Sequence, residues 1–290
     1  MHRASYRFMP PCGITETLSD AELVRVVHTK GGRAMIIKNE IPILEYDDHS
    51  AEVITPNHDW PDLRLPKKCL FTFLGDVVSK FAQEHNAEIA EKFITVSHTV
   101  EIYVLHEEGE DICLVQSLIG APGAASLIDC LISCGCEKII AVGSCGVLAD
   151  LPENVFIVPT KALRAEGTSY HYLPASRYIE LDKEPVAAIE RCFNKHDLPF
   201  VTCTTWTTDA FFRETKDMVK YRLEEGCSVV EMECASLAAV CRKRGASFGQ
   251  FLFTADSLAN VHEYDVRDFG TGSHEKALLL GLDVLKEYTD

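Results

Sequence analysis

This sequence has no long apolar run, its N-terminus does not resemble a signal peptide, and positively charged residues are few. No apolar run reaches about 18 residues, the length at which a membrane-spanning helix is suspected. The opening stretch MHRASYRFMPPCG has no apolar region of the kind that a signal peptide carries. Lys and Arg number 28 against 44 Asp and Glu, for a net charge of −16, and a field of that sign repels phosphate backbones and anionic lipids. We therefore expect a cytoplasmic protein that binds neither nucleic acid nor a membrane.

The 12 cysteines are interpreted as reduced thiols rather than as a disulfide framework. Without secretion they stay in a reducing compartment, and most lie in apolar segments, as Cys113 and Cys227 do, where cysteine behaves as a small core residue. The one cluster is Cys130, Cys134 and Cys136. A zinc site there would need further regular pairs or a histidine at fixed spacing, so the cluster predicts core packing at the end of a helix and no metal site.

The chain is long enough to bury a full core, and we predict one domain over residues 1–290. Residues 1–33 have weak periodicity, which is compatible with an N-terminal arm. From residue 112 onward strand-like segments alternate with helical ones, which predicts an α/β fold with a mostly parallel sheet covered by helices on both faces. Strands are predicted at 34–38, 41–46, 101–105, 111–118, 138–142, 155–160, 200–205, 229–232 and 248–254, and helices at 70–83, 120–134, 185–195, 215–225, 233–244 and 274–288.

Residues directly after strands are the first candidates for a site, because ligands of such sheets bind at the carboxyl ends of the strands. Gly143-Ser144-Cys145-Gly146 follows the predicted strand 138–142. A turn of this composition exposes backbone N–H groups that can hold an anion, although glycine-rich turns are also common for purely conformational reasons.

A second strand end, Glu231-Met232-Glu233, carries two carboxylates around a methionine and runs straight into a helix. A carboxylate in this position can accept both hydroxyl hydrogens of a ribose, and Met232 can pack beneath the sugar. The alternative for Glu233 is a favourable interaction with the helix N-terminus alone.

Asp256 ends a third strand, at 248–254, and Arg267 follows within a short loop. A half-buried carboxyl has a raised pKa and can donate a proton to a leaving group, with the arginine positioning it. The alternative for Asp256 is a turn former or helix N-cap.

Taken together, these segments resemble the nucleoside phosphorylases of the hexameric type, which include uridine phosphorylase, bacterial purine nucleoside phosphorylase and the methylthioadenosine/S-adenosylhomocysteine nucleosidases. The resemblance covers roughly residues 35–288. Residues 230–236 (VEMECAS) resemble the ribose-binding segment, 141–146 (AVGSCG) the phosphate-side loop, 208–212 (TDAFF) the segment whose aromatic side chain packs on the base, and 164–171 (RAEGTSYH) a stretch of the uridine branch.

This resemblance implies a three-layer αβα fold with a central mixed, mostly parallel sheet. It implies cleavage of the N-glycosidic bond of a nucleoside by phosphorolysis, with nucleoside and phosphate as ligands, no metal or organic cofactor, and a homo-oligomer, either a dimer or a hexamer. It also implies roles for individual residues: Glu231, Met232 and Glu233 at the ribose, Phe211 and Thr208 at the base, Asp256 as the acid that protonates a purine at N7, and Arg267 as its helper.

The sequence departs from the resemblance at the phosphate. The phosphorylases place an arginine two residues before the loop glycine, where this chain has Ala141, and a Gly-Asp-Pro-x-Arg turn after their first strand, for which we take Tyr46–Ser50 as the equivalent. A third arginine comes from a neighbouring subunit, and only His98 is near that position. Phosphate thereby loses its bidentate partners. The predicted phosphate site consists of Gly143–Ser144 with His49 and His98.

Three functions therefore stay open. Phosphorolysis is favoured by the uridine-like stretch 164–171 and by the chain length. Hydrolysis by a nucleosidase would need a carboxylate base near the ribose, for which Glu45 and Glu52 are candidates. A catalytically silent nucleoside-binding protein on the same fold is the third. The base is open as well, because 164–171 is pyrimidine-like whereas Asp256 is purine-like.

Overall fold

Strands and helices alternate along most of the chain in the computed structural model, which describes residues 36–107 and 109–288. The strands are β1 (Lys68–Thr72), β2 (Glu88–Ile94), β3 (Thr99–Glu107), β4 (Glu110–Gln116), β5 (Lys138–Val147), β6 (Phe156–Ala165), β7 (Tyr178–Glu180), β8 (Phe200–Thr208), β9 (Cys227–Glu231) and β10 (Ser247–Ser257). The α-helices are α1 (Asp76–Glu84), α2 (Ala121–Ser133), α3 (Ser169–Tyr172), α4 (Lys183–Lys195), α5 (Lys216–Glu224), α6 (Cys234–Arg244) and α7 (His274–Glu287). The fold is of the α/β class.

All ten strands belong to one mixed sheet. The strand order is β10-β6-β8-β9-β5-β1-β4-β3-β2, with β7 paired to β6. The central pairs β4–β1, β1–β5 and β5–β10 are parallel, whereas β5–β9, β6–β10 and the β2–β3–β4 meander are antiparallel. Because β10 pairs with β5 as well as with β6, five strands close into a ring from which β1, β4, β3 and β2 extend.

Helices cover the sheet in two groups. One group contains α2, α3 and α6, which pack on one another, and the other contains α1, α4 and α7. The spacing of apolar residues explains each contact face: in α4, Val186, Ile189 and Phe193 recur every three or four residues and are all buried. Phe193 also packs edge-on against Phe251 of β10, with ring centroids 5.2 Å apart. The main core therefore lies between the sheet and these helices.

Several predicted elements need correction. Within residues 36–46 there is no strand, only a 3-10 turn at Pro42–Leu44, so the strands predicted at 34–38 and 41–46 are wrong over the described part. The helix predicted at 70–83 begins only at Asp76, because residues 68–72 are the fully buried strand β1. Hydrophobic periodicity does not distinguish a helix from a strand in a continuously apolar stretch. The predicted arm at 1–33 lies outside the described residues.

A further correction concerns the glycine-rich segment 143–146. It does not follow a strand but forms the second half of β5, which runs on to Val147. Gly143 suits this position because a Cβ there would lie 3.2 Å from the Cβ of Phe73. Among the described residues, no helix is both long and apolar enough to cross a membrane.

Candidate active site

A cavity of about 560 Å³ opens where several strands end. Its lining comes from the segment after β1, the carboxyl end of β4, the second half of β5, the β9–α6 junction and the end of β10. Glu233 lies at one side of this lining and Asp256 at another, and both side chains are buried, with exposed fractions of 7% and 5%. The carboxyl ends of the strands therefore converge on one site, as expected for such sheets.

The carboxylate of Glu231 is hydrogen-bonded to groups of the protein itself. Its carboxylate accepts the backbone N–H groups of Glu233 and Cys234 at 2.7 and 2.6 Å, and the hydroxyls of Thr207 and Thr205 at 2.6 and 3.2 Å. These bonds satisfy N–H groups that the first turn of α6 leaves unpaired. Glu231 therefore holds the start of the helix, and its predicted role at the ribose stays a prediction.

Glu233 has a different environment although it is only two residues away. One carboxylate oxygen accepts the N–H of Gly120 at 2.5 Å, and the residue lines the cavity beside the half-buried Met232. Burial, followed by the charge of Glu231, raises the pKa of Glu233 to about 8. The side chain keeps unused acceptor capacity, which suits a pair of sugar hydroxyls.

Asp256 and Phe211 form another part of the same lining. The hydroxyl of Tyr264 donates to Asp256 at 3.0 Å. Burial raises the pKa of Asp256, while the Tyr264 bond and the charge of Arg267 act in the opposite direction. The Phe211 ring is 40% exposed in the open cavity. A carboxyl with a raised pKa and an aromatic ring in one cavity suit a heterocyclic base that leaves with negative charge.

Arg267 and Thr208 do not line this cavity. The guanidinium of Arg267 donates to the backbone oxygens of Leu151 and Ala255 at 2.7 and 3.3 Å, and so fastens the loop after β10. The hydroxyl of Thr208 accepts the N–H of Ala210 at 3.3 Å, which shapes the turn before Phe211. The charge of Arg267 nevertheless acts on Asp256, and the predicted roles of both residues stay predictions.

A part of the lining without charged side chains lies between β1 and β5. The β1–β5 ladder ends at Thr72 and Val142, beyond which Ser144 is exposed. Gly75, at φ 62°, is the N-cap of α1 and lines the same part of the cavity. Free N–H groups at a helix N-terminus attract anions.

This arrangement corrects the predicted equivalent of the Gly-Asp-Pro-x-Arg turn. The first described strand ends at Thr72 and is followed by Leu74-Gly75-Asp76 rather than by Tyr46–Ser50, and Ser79 then stands where the arginine would be. His49 and His98 are exposed and lie outside the cavity. Ala141 is fully buried in the main core. Of the predicted phosphate residues, the structure therefore brings only Gly143 and Ser144 to the site.

The described lining holds four carboxylates and no lysine, arginine or histidine. The carboxylates are Glu214, Glu231, Glu233 and Asp256. Sequence reasoning missed Glu214, although it lies three residues after Phe211 in the segment singled out for the base. Glu45 and Glu52, the candidate bases, lie outside this cavity: Glu45 accepts the N–H of Asn39 and Glu52 pairs with Arg244.

The stretch 164–171 orders a neighbouring loop. Arg164 is buried and donates to the hydroxyl of Ser169 and the backbone oxygen of Pro174. The N–H of Gly167 donates to Asp209 at 2.7 Å, which ties this loop to the segment that carries Phe211. The stretch 164–171 therefore contacts the site indirectly, through the hydrogen bond from the backbone N–H of Gly167 to Asp209.

Three cysteines lie together at the other end of the strands. The sulfur atoms of Cys69, Cys113 and Cys136 are all within 4.8 Å of one another, and all three residues are buried. They belong to the apolar main core, where ionising several thiols at once would be costly. We interpret them as packed thiols; of the Cys130, Cys134 and Cys136 cluster seen in the sequence, only Cys136 belongs to this group.

Comparisons with known proteins identify the family of the chain. A family model described as the phosphorylase superfamily matches residues 67–286. A guanosine phosphorylase of Halorubrum lacusprofundi is 27% identical over 143 residues, which are 49% of this chain and 59% of that protein. A DeoD-type purine nucleoside phosphorylase of Bacillus cereus is 26% identical over 164 residues, 54% of this chain and 68% of that protein.

Solved structures share the fold. An AMP nucleosidase from Bacteroides thetaiotaomicron superimposes with a TM-score of 0.62 at 22% identity, covering 77% of this chain and 88% of the other. A uridine phosphorylase from Vibrio fischeri superimposes with a TM-score of 0.65 at 19% identity, covering 77% and 92%.

Proposed function

Because the chain belongs to the phosphorylase superfamily, we propose that it is an enzyme that cleaves the N-glycosidic bond of a nucleoside. The observation that carries this proposal is the placement of Glu233 and Asp256 in one cavity. Glu233 suits the sugar hydroxyls and Asp256, beside Phe211, suits the base. A silent binding protein would have no need of a buried proton donor at the base.

The proposed mechanism is dissociative. As the bond between C1′ and the base nitrogen lengthens, its electron pair moves to the base, and the ribose gains positive charge. Asp256 donates its proton to the base, which neutralises the developing negative charge. Glu233 holds the hydroxyls, and a nucleophile then forms a new bond to C1′.

Phosphate is the first candidate for the nucleophile. The two relatives named above are phosphorylases, and the N-terminus of α1 with Ser144 gives an anion N–H groups and a hydroxyl. The products would be the free base and ribose 1-phosphate. Without an arginine fork, the phosphate is held weakly.

Water is the second candidate, and one observation favours it. The described lining has four carboxyl groups and no cationic side chain that would pair with a phosphate dianion, and each carboxyl that ionises as the pH rises repels such a dianion. A neutral water molecule avoids this repulsion. The products would then be the free base and ribose.

One experiment tests the function and the nucleophile together. Purified protein is incubated with a panel of purine and pyrimidine nucleosides across a phosphate titration, and the base and sugar products are identified by mass. Release of a free base supports the function. Ribose 1-phosphate that rises with phosphate identifies a phosphorylase, whereas free ribose at every phosphate concentration identifies a hydrolase. If the panel yields no free base at all, the proposed function is wrong.

We also propose that the chain works as a homo-oligomer. Ile119 lines the cavity and Phe212 the adjoining one, with exposed fractions of 79% and 93%, and Ile94 and Val96 are exposed at the end of β2 and in the turn that follows it. Large apolar side chains grouped at a surface are typical of subunit contacts. Light scattering coupled to size-exclusion chromatography measures the mass, and a value of 32.3 kDa would contradict the proposal.

A further inference from the structure

Glu214 is a carboxylate that the mechanism does not use. It lies between the 3-10 turn Phe211–Arg213 and α5, is half-buried, and lines the cavity with Phe211 and Asp256. Within the described part of the chain its carboxylate has no hydrogen bond and no ion pair; only its backbone N–H is bonded, to the oxygen of Phe211. A partly buried carboxylate without a partner is costly to keep ionised, which suggests that its partner is a ligand.

Space continues past Glu214. A second cavity, of about 330 Å³, shares Phe211, Glu214 and Asp256 with the first and extends towards Tyr264. A base that packs on Phe211 and reaches Asp256 therefore has Glu214 near one of its edges, with room for an exocyclic group.

We propose that Glu214 recognises the N–H groups of a purine and that the site takes 6-oxopurine nucleosides, with guanosine preferred when Glu214 is ionised. This inference rests on the proposed function and adds the substrate class. With Asp256 at N7, the edge that carries N1 and the 2-amino group is left for Glu214. An ionised carboxylate is an acceptor at both oxygens, so it matches the two parallel donors of guanine, N1–H and the 2-amino group.

The protonated carboxyl has a different match. It offers one donor and one acceptor, which fits O6 and N1–H of hypoxanthine as well as it fits any edge of guanine. Preference for guanosine over inosine therefore depends on the charge of Glu214.

The surroundings of Glu214 put that change of charge near neutral pH. Burial, followed by the charge of Asp256, raises the pKa of Glu214 to about 7. The groups that face it are Asp256 of β10 and Tyr264 of the following loop, whose own pKa is raised to about 12 so that it stays neutral. Lys216, at the start of α5, lines the adjoining cavity.

The test measures the ratio of kcat/KM for guanosine to that for inosine between about pH 6 and pH 8. Proton transfer by Asp256 and sugar binding by Glu233 are common to both substrates and cancel in the ratio. In the wild-type protein the ratio should rise with pH as Glu214 loses its proton. Glu214→Gln holds one donor and one acceptor at every pH, so the ratio should become flat, with guanosine weakened roughly 10- to 100-fold at pH 8.

Glu224→Gln is the matched control, because Glu224 is exposed at the end of α5 and lies outside both cavities. It should keep the wild-type ratio and its rise with pH. A ratio that still rises in Glu214→Gln, or an equal loss on both nucleosides, would overturn the role of Glu214. Preferred cleavage of uridine would overturn the substrate class and leave the proposed function intact.

Absence of cleavage would instead contradict the proposed function. In that case isothermal titration of the wild-type and variant proteins with guanosine and inosine measures the same preference as a ratio of Kd values. A ratio that does not change between the proteins would then overturn the inference as well.

Discussion

Glu231 and Glu233 lie two residues apart at the start of α6, yet their carboxylates have opposite surroundings. Glu231 accepts the N–H group of Glu233 itself at 2.7 Å, together with that of Cys234. Glu233 turns to the cavity and has one bond, from Gly120. The first carboxylate therefore holds the second in place, and the two residues should fail in different ways when they are changed.

Glu233→Gln should leave the fold intact and remove most of the activity. An amide has one acceptor oxygen and adds a donor, so it accepts one fewer strong bond from the sugar hydroxyls. Above the pKa of Glu233, about 8, where the carboxylate is ionised, loss of a charge-assisted bond corresponds to roughly 10- to 100-fold in kcat/KM. Steady-state kinetics on the best nucleoside of the panel measures the loss, with Glu224→Gln as the control. Turnover at the wild-type rate would remove Glu233 from the ribose.

Glu231→Gln should lower stability instead. The carboxylate of Glu231 accepts hydrogen bonds from four donors of its neighbours. The NH₂ group of a glutamine would face some of those donors and could not accept from them. One lost bond and one unsatisfied buried donor cost on the order of 3 kcal/mol. Urea unfolding followed by circular dichroism measures the free energy of unfolding. An unchanged midpoint would show that Glu231 does not hold the start of α6.

The stability of the unliganded protein should fall as the pH rises from about 5 to about 8.5. Burial raises the pKa of Glu233 from its ordinary value of 4.5 to about 8, so in this window the folded chain keeps a proton that the unfolded chain has released. The folded state binds more protons, and the free energy of unfolding therefore decreases with pH. Below pH 4.5 both states are protonated and this contribution is fully present.

Thermal unfolding across this pH range measures the effect. Glu233→Gln should flatten the decrease, and adding Glu214→Gln should flatten it further, because the pKa of Glu214 is also raised, to about 7. A wild-type Tm that does not fall over this range, or a fall that is as large in both variants as in the wild type, would contradict the assignment.

Asp256→Asn should slow nucleosides with poor leaving groups far more than those with good ones. An amide cannot donate its proton to the base, and a general acid contributes typically 10²–10⁴-fold. Guanosine and 7-methylguanosine make the comparison, since the methylated base needs no proton at N7. Equal losses on the two substrates would mean that Asp256 only positions the base.

Tyr264→Phe tests the same proton, that of Asp256, by changing a residue that is hydrogen-bonded to it. The Tyr264 hydroxyl donates to Asp256 at 3.0 Å and holds the pKa of that carboxyl down against the effect of burial. Without this bond the pKa of Asp256 should rise, so the decline of activity with increasing pH should move to higher pH. A pH–rate profile of kcat/KM measures the shift, and a profile that moves to lower pH would contradict it.

The amino-acid sequence by itself determined the fold class and the two strand ends on which the site depends. Alternating periods of two and 3.6 residues are local properties, and they located α2, α6, β8 and β10 within a few residues. The segments at Glu233 and Asp256 could be found because a carboxylate directly after an apolar strand is visible in the sequence. Their common cavity agrees with that prediction, while their roles at the ribose and the base stay proposals.

Only the tertiary structure decided which polar groups face a ligand and which face the protein. Glu231 and Glu233 look alike in sequence, but the pairing of β8 with β9 places Thr205 and Thr207 against one of them. Glu214 lines the same cavity as Asp256 of β10, and the guanidinium of Arg267 donates to two backbone oxygens. Closure of five strands into a ring through β10 likewise depends on pairings between segments that are distant in the chain, such as Lys138 with Ser247. Such contacts arise from packing in three dimensions, which no local pattern of residues records.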